Sequence, residues 1–235
     1  MDRMTVSTFQ PSTIDSFIYQ NAPNTNYGTH NALELYDYTN YVVRSLLKFD
    51  ISSVISEGAT INSAIISIYY KRLQTGINPY GKLVDCCRIT QPAWTETGVT
   101  WNKYDGTNSW GNAGGDYTET DKATTQHPAI YNWMNFTVTD QVQYAVDYVD
   151  RIAHFLIKFQ NEALSSGYSL PEYHSREYTT NPTLCPKLVI DWTLPAAFKA
   201  SSSIIPLATI LDLLVCKPHF RSVFYPNCLR VRRNV

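Results

Sequence analysis

Apolar and polar residues alternate with a period of two along much of the first 193 residues, which is typical of strands that bury one face. The longest such segment is residues 60–71, which is rich in isoleucine and has two tyrosines just before its last residue. Clusters of Asn, Pro and Gly separate these segments, as expected for turns. The pattern predicts strands at residues 16–19, 32–36, 41–49, 60–71, 83–89, 152–159 and 187–192.

One segment, residues 140–149, has the period of a helix instead. Its apolar residues lie three or four positions apart, so they would share one helix face. These residues are Val142, Ala145, Val146 and Val149. We expect one short amphipathic helix here, with Thr139 or Asp140 as its N-cap.

Many short strands with one short helix predict an all-β fold, a jelly-roll-like β-sandwich of two sheets. The composition changes after Leu194, where residues 195–203 are typical of a linker. We therefore predict a β-sandwich module over residues 1–194 and an appended C-terminal tail over residues 195–235. The tail would contain the linker followed by apolar and basic segments.

The tail contains an apolar run at residues 204–215, which Pro206 interrupts. The run is shorter than the ~18 residues that a membrane span needs. Because soluble monomers avoid exposing this much apolar surface, we expect the run to pack on its own sandwich or on a neighbouring subunit, or else to be an end without a partner. The residues predicted to make an assembly contact are Ile204, Ile205, Leu207, Ile210, Leu211 and Leu214.

Charge is unevenly distributed between these two parts. The formal net charge is −1, but residues 195–235 carry six basic residues and one acid, so the first 194 residues have a net charge of −6. An acidic body argues against nucleic-acid binding by the sandwich. The tail is either a solvated basic end or a contact for nucleic acid, an acidic partner or a membrane surface.

The cysteines and the N-terminus bear on where the protein acts. The five cysteines include no CxxC pair and no zinc-site spacing, so we expect buried, reduced thiols. The first residues lack the apolar core of a signal peptide, and no stretch is apolar enough to predict a transmembrane segment. We expect the protein on a virion or on an extracellular surface.

Several sequence motifs follow one another in a recognisable order. They are Asp15-Ser-Phe-Ile18, Asn24-Thr-Asn-Tyr-Gly28, Leu33-Glu-Leu35, Arg44-Ser-Leu-Leu-Lys-Phe-Asp-Ile-Ser-Ser53, Gly58-Ala-Thr-Ile-Asn-Ser-Ala-Ile-Ile-Ser-Ile-Tyr69, Trp94-Thr-Glu-Thr-Gly-Val-Thr-Trp-Asn102, Phe136-Thr-Val-Thr-Asp140 and Pro186-Lys-Leu-Val-Ile190. Together they resemble the DNRLRE family, which is related to disaggregatase repeats and to an alginate-type carbohydrate-binding module. The resemblance covers residues 8–193 and not the tail.

The resemblance implies a β-sandwich module without catalytic machinery of its own. Such modules occur in large secreted or surface proteins, often beside enzymes, and in phage-encoded structural proteins. This chain carries the module without an attached enzyme domain. That difference favours a structural or adhesive subunit over a module that targets an enzyme.

The aromatic residues between positions 94 and 117 have two interpretations. In the first, Trp101 lies in a core and Glu96 accepts hydrogen bonds that hold the loop. In the second, exposed rings stack on a sugar, since loops carry binding residues more often than strands do. The predicted glycan-binding residues are Trp94, Tyr104, Trp110 and Tyr117.

Metal and catalytic chemistry are less well supported by the sequence. Asp15, Asn24 and Asn26 offer oxygen ligands for calcium, although Asn and Asp in turns usually bond to their own backbone. No cofactor other than calcium is expected. The motifs of zinc proteases, serine hydrolases and phosphate-binding loops are missing from the sequence. Glu96 and Glu177 would be a glycosidase pair only at a separation that the sequence does not show.

Two functional hypotheses follow from these features. The first is a non-catalytic structural or adhesive subunit of a virion or extracellular assembly, which binds itself or other structural subunits through the tail. The alternative is a stand-alone glycan-binding module for an acidic or neutral polysaccharide.

Overall fold

Eleven strands, one α-helix and one 3-10 turn form the part of the chain that the structure describes, residues 4–149 and 151–194 of this computed structural model. The strands are β1 (Thr5–Phe9), β2 (Ile14–Tyr19), β3 (Ala32–Glu34), β4 (Val43–Asp50), β5 (Thr60–Gly76), β6 (Leu83–Ile89), β7 (Tyr117–Gln126), β8 (Trp133–Thr137), β9 (Ile152–Phe159), β10 (Ser169–His174) and β11 (Lys187–Thr193). Helix α1 comprises Thr139–Tyr148, and the 3-10 turn comprises Pro182–Leu184.

The strands are arranged in two sheets. The first has the order β1-β11-β5-β10-β3, with β8 also paired to β5, and the second has the order β2-β4-β9-β6-β7. The strand pairs within the described residues are antiparallel. Strands from both sheets contribute to one apolar core between them. The predicted all-β, two-sheet sandwich with one short helix is therefore confirmed.

The main core lies between the two sheets. In β5, Ala64, Ile66, Ile68 and Tyr70 are buried in this core, whereas Ile65 is 41% exposed. This alternation follows from the two-residue period of a strand, because successive side chains point to opposite faces. The second sheet contributes Leu47, Phe49, Phe155, Ile157 and Phe159. Burial of each large apolar side chain stabilises the fold by roughly 1.5–3 kcal/mol.

A second core covers the opposite face of the second sheet. Residues 90–116, which connect β6 to β7, are called the tryptophan loop here because they carry Trp94, Trp101 and Trp110. The sheet contributes Ile18, Leu46, Ile89 and Leu156 to this core. Leu46 and Leu47 are neighbours in β4 but lie in different cores, so this sheet is buried on both faces.

Helix α1 packs on the main core through the predicted face. Val142, Ala145 and Val146 are buried, as expected from their spacing. The predicted N-cap is wrong: the N-cap is Val138, and no side chain caps the helix. The Thr139 hydroxyl accepts a hydrogen bond from the Ala64 backbone N–H at 3.1 Å instead, so the strand beside the helix takes the oxygen that a cap would use. In the described residues no helix is long and apolar enough to cross a membrane.

Strands β1, β7, β8 and β10 were not predicted from the pattern. β7 is polar along its whole length and has no fully buried residue, so it carries no apolar alternation. β10 is buried at every position, including Glu172, so it does not alternate either. His174 is the last residue of β10 and is 6% exposed.

The predicted tail lies outside the described residues. This applies to the linker, to the basic segment and to the predicted assembly contacts Ile204, Ile205, Leu207, Ile210, Leu211 and Leu214. The last strand, β11, ends at Thr193. The domain boundary after Leu194 therefore stays a prediction.

Candidate functional site

Trp94 anchors the tryptophan loop to the second sheet. Its side chain is 0% exposed, and its Nε1–H donates a hydrogen bond to His154 Nδ1 at 3.1 Å. Burial, with a smaller contribution from the charge of Lys48, lowers the pKa of His154 to about 3. His154 is therefore neutral at pH 7, as an acceptor nitrogen requires.

The other two tryptophans of the loop are buried as well. Trp110 is 5% exposed, and its Nε1–H donates to the Thr100 carbonyl at 2.9 Å. Trp101 is 8% exposed and lies beneath the Arg44 guanidinium, 5.1 Å from the ring centroid. The interpretation of Trp101 as a core residue is confirmed. The predicted stacking roles of Trp94 and Trp110 are wrong, since a buried ring has no face to offer a sugar.

Glu96 holds the tryptophan loop against β2, as the first interpretation expected. Its Oε1 accepts a hydrogen bond from the Asp15 backbone N–H at 3.0 Å. The Asn26 amide donates to the Glu96 and Val99 carbonyls, both at 2.7 Å. Gly28 passes so close to the loop that a Cβ there would lie 2.0 Å from the Glu96 carbonyl oxygen, so this approach requires glycine.

The asparagine oxygens of the predicted calcium site already accept hydrogen bonds, and calcium binding by Asp15, Asn24 and Asn26 stays a prediction. Asn26 Oδ1 already accepts from the Gly28 N–H at 3.1 Å, and Asn24 Oδ1 accepts from the Asn102 amide at 3.0 Å. These asparagines hold turns, which is the structural role that Asn usually has there. The acidic residues that gather around Asp15 are Glu96 and Glu177, and one carboxylate oxygen of each lies within 4.8 Å of the others.

Asp15 is the most perturbed acid of this group. Burial raises its pKa to about 7, the hydrogen bond from Ser12 opposes that shift, and the negative charge of Glu177 adds to it. Burial also raises the pKa of Glu177. The structure thus brings Glu96 and Glu177 together, which their separation in the sequence did not show.

Tyr104 and Tyr117, the other two predicted glycan contacts, are half-buried. Tyr104 packs edge-to-face on Trp110, with ring centroids 5.8 Å apart. Tyr117 begins β7, lies 5.4 Å from the Arg44 guanidinium and lines an open hollow of about 370 Å³ with Asn112 and Gly115. Glycan contact by these two tyrosines stays a prediction.

A group of partly exposed tyrosines lies where the edges of the two sheets meet. We call it the tyrosine surface, and its members are Tyr19, Tyr36, Tyr38, Tyr41 and Tyr168. The Tyr38 and Tyr168 rings are 4.3 Å apart, Tyr38 stacks on Tyr41 at 5.4 Å, and Tyr19 lies 6.4 Å from Tyr41. Tyr41 is 38% exposed. The rings therefore form one continuous aromatic surface.

The backbone beneath the tyrosine surface is held by hydrogen bonds. Tyr36 and Val43 exchange two backbone hydrogen bonds, both 3.1 Å long. The Tyr41 N–H donates to the Tyr38 carbonyl at 3.0 Å across a turn in which Asn40 has a φ of 63°. The buried carboxylate of Asp37 binds two further segments. It accepts from the Ser169 N–H, next to Tyr168, at 2.6 Å and from Lys82 Nζ at 2.6 Å.

The tyrosine surface was not predicted from the sequence, although part of the signal was present. Tyr36, Tyr38 and Tyr41 occur within six residues, and a period of two places the first two on the same side of an extended chain. Tyr19 and Tyr168 join them only through strand pairing and loop contacts. No spacing in the sequence indicates that approach.

The comparison with protein families identifies one family over most of the described residues. The model of carbohydrate-binding module family 96 matches residues 5–191, which include β1 to β10 and most of β11. No curated protein matches the chain. The match supports the carbohydrate-binding part of the resemblance stated above, while the DNRLRE assignment stays a prediction. The chain belongs to carbohydrate-binding module family 96.

Proposed function

We propose that this protein binds a polysaccharide without cleaving it, and that the tyrosine surface is its ligand platform. The observation that carries the proposal is the continuous surface of five partly exposed tyrosine rings, with neighbouring centroids 4.3 to 6.4 Å apart. The family match supports the ligand class. We include an extracellular place of action in the proposal, since the modules that the sequence resembles occur in large secreted or surface proteins.

Tyrosine suits a sugar ligand for two reasons. Its ring offers a flat apolar face to the C–H groups of a pyranose, and its hydroxyl group donates or accepts a hydrogen bond at the edge. The rings of Tyr38 and Tyr168 already pack against each other, and Tyr38 also stacks on Tyr41. Little side-chain entropy is therefore lost when a ligand binds, which favours affinity.

The structural-subunit hypothesis depends on the tail, residues 195–235, and no described residue supports it over glycan binding. It stays a prediction. The glycan-binding alternative has support from both the family match and the tyrosine surface, so we give it preference.

The proposal is tested by calorimetry and by affinity electrophoresis with soluble acidic and neutral polysaccharides. We expect at least one polysaccharide to bind, and Tyr38→Ala and Tyr168→Ala each to weaken binding about tenfold or more, given that an aromatic contact contributes about 1 kcal/mol or more beyond its area. Tyr80→Ala is the matched control. Tyr80 is 67% exposed, and it is not part of the tyrosine surface.

Three results would contradict parts of the proposal. If no polysaccharide binds the wild-type protein, the function is wrong. If Tyr117→Ala abolishes binding while Tyr38→Ala does not, the function stands and the platform lies at the Tyr117 hollow. If reducing ends are released from a bound polysaccharide, the protein is an enzyme.

A further inference from the structure

Three carboxylates from distant parts of the sequence meet beside β2. Asp15 lies in β2, Glu96 lies in the tryptophan loop, and Glu177 follows β10 by three residues. One oxygen of each carboxylate lies within 4.8 Å of the other two. We call these three residues the acidic cluster.

Two oxygens of the acidic cluster are buried and have no hydrogen-bond partner. Asp15 is 1% exposed, and its Oδ2 accepts from Ser12 Oγ at 2.6 Å and from the Arg176 N–H at 3.0 Å. Its Oδ1 is buried without a partner, and so is Glu177 Oε2. Buried polar atoms are almost always paired in folded proteins, because an unpaired one retains its full desolvation cost. These two atoms therefore point to a ligand.

The charge of the acidic cluster is not balanced by its ion pairs. Among the described residues, the basic side chain paired with it is Arg176, with Nη1 3.2 Å from Glu96 Oε1 and Nε 3.7 Å from Glu177 Oε1. The charge of Lys48 acts on Glu96, but its Nζ donates to the Trp94 carbonyl at 2.9 Å and is not within ion-pair distance of the cluster. When all three acids are ionised, two negative charges remain. A divalent cation would neutralise them.

We propose that Asp15, Glu96 and Glu177 form a binding site for a calcium ion. Carboxylate oxygens are the preferred ligands of hard cations. Calcium binds oxygens at about 2.3–2.6 Å, so two ligands on opposite sides of the ion are about 4.6–5.2 Å apart. Magnesium binds at about 2.0–2.1 Å and would hold opposite ligands about 4.0–4.2 Å apart. Oxygens within 4.8 Å of one another can all reach one ion at the calcium distance, and the titration with magnesium distinguishes the two ions.

A cation here would add a further link between three segments that already share hydrogen bonds and an ion pair: β2, the tryptophan loop and the segment after β10. The unfolded chain cannot assemble this set of ligands, so binding would stabilise the folded protein by mass action. The site is separate from the proposed glycan platform, because none of its three residues belongs to the tyrosine surface.

The test uses the full chain after removal of metal ions with a chelator. Calcium chloride is titrated by calorimetry, the melting temperature is followed in parallel, and magnesium chloride serves as the second ion. No polysaccharide is present. The variants are Glu177→Gln, Asp15→Asn and the matched control Glu119→Gln, which changes a half-exposed acid of β7 outside the cluster.

We expect calcium to bind and to raise the melting temperature of the wild type and of Glu119→Gln alike. Glu177→Gln and Asp15→Asn should each weaken calcium binding about tenfold or more, since affinity depends on the number of charged ligands. Absence of calcium binding by the wild type overturns the proposal, whether or not the variants fold. Binding of magnesium alone, or unchanged calcium binding by Glu177→Gln, also overturns it.

Discussion

The tryptophan loop and the tyrosine surface are both rich in aromatic residues, yet they differ in what lies beneath the rings. In the loop, Trp94 and Trp110 cover an apolar sheet face, and both indole N–H groups donate to acceptors within the protein. In the tyrosine surface, the rings lie at the meeting of two sheet edges, and Tyr41 is 38% exposed. The comparison shows that the indole rings of the loop are used inside the protein, whereas the tyrosine rings keep part of their surface in solvent.

The largest effect that separates the two regions is expected from Trp94→Ala. Removing this fully buried ring should lower the free energy of unfolding by about 3–5 kcal/mol, through lost burial and the cavity left behind. Urea denaturation measures this change. Tyr38→Ala should lower it by about 1 kcal/mol, because its ring is partly exposed.

Trp94→Phe is the control for Trp94→Ala, because it loses the hydrogen bond to His154 but retains most of the buried volume. The difference between the two variants therefore measures the effect of the lost volume. The contrast between the tryptophan loop and the tyrosine surface is contradicted if Trp94→Ala leaves the free energy of unfolding unchanged. It is also contradicted if the folded fraction of Trp94→Ala loses polysaccharide binding, as Tyr38→Ala is expected to do.

Acid should weaken the tryptophan loop and leave the tyrosine surface unaffected. The pKa of His154 is about 3 in the folded protein and near 6.5 in the unfolded chain. The unfolded chain therefore takes up a proton that the folded protein excludes. This contribution to stability is fully present above pH 6.5 and is lost as the pH falls toward 3, by about 1.4 kcal/mol per pH unit.

Urea denaturation between pH 6.5 and about pH 4 measures the slope, and His154→Gln should make it shallower. Burial also lowers the pKa of His127, to about 4, so His127 adds a slope of the same sign to the free energy of unfolding against pH. The His154→Gln variant retains this contribution. The raised pKa of Asp15 acts in the opposite sense, so the difference between wild type and variant isolates His154. Equal slopes in the two proteins would contradict the assignment of a neutral, buried His154.

The smallest effects are expected from the two asparagines near the loop. Asn26→Ala removes two hydrogen bonds of 2.7 Å to loop carbonyls and should lower the free energy of unfolding by about 1–3 kcal/mol. Asn24→Ala removes one exposed bond to Asn102 and should lower it by about 0.5 kcal/mol or less. The melting temperatures of the two variants show which substitution destabilises the protein more. The reverse order would mean that Asn26 does not hold the tryptophan loop.

Part of the fold was predictable because some strands bury one face and therefore alternate, as residues 60–71 do in β5. Residues 83–89 were also predicted as a strand, and they form β6, which is buried on both faces. Strands without the pattern were missed, such as the polar β7 and the fully buried β10. The helix was found from its apolar spacing, whereas its N-cap was wrong because a neighbouring strand binds Thr139.

The candidate sites were less predictable than the fold. The sequence indicated that Glu96 holds a loop, and the bond from the Asp15 N–H confirms this. The sequence did not indicate that Trp94 would be buried, since an aromatic loop residue is compatible with either a core or a binding face. The free cysteines Cys86, Cys87 and Cys185 are buried as expected, and Cys216 and Cys228 lie outside the described residues.

The sequence by itself determined the strand pattern, the two-sheet sandwich and the likeness to a carbohydrate-binding module, because these depend on local periodicity and on motif order. Only the tertiary structure decided which aromatic rings remain open to a ligand and which acids meet. Both outcomes depend on contacts between residues up to 162 positions apart, such as Asp15 and Glu177, and a local pattern carries no information about such contacts.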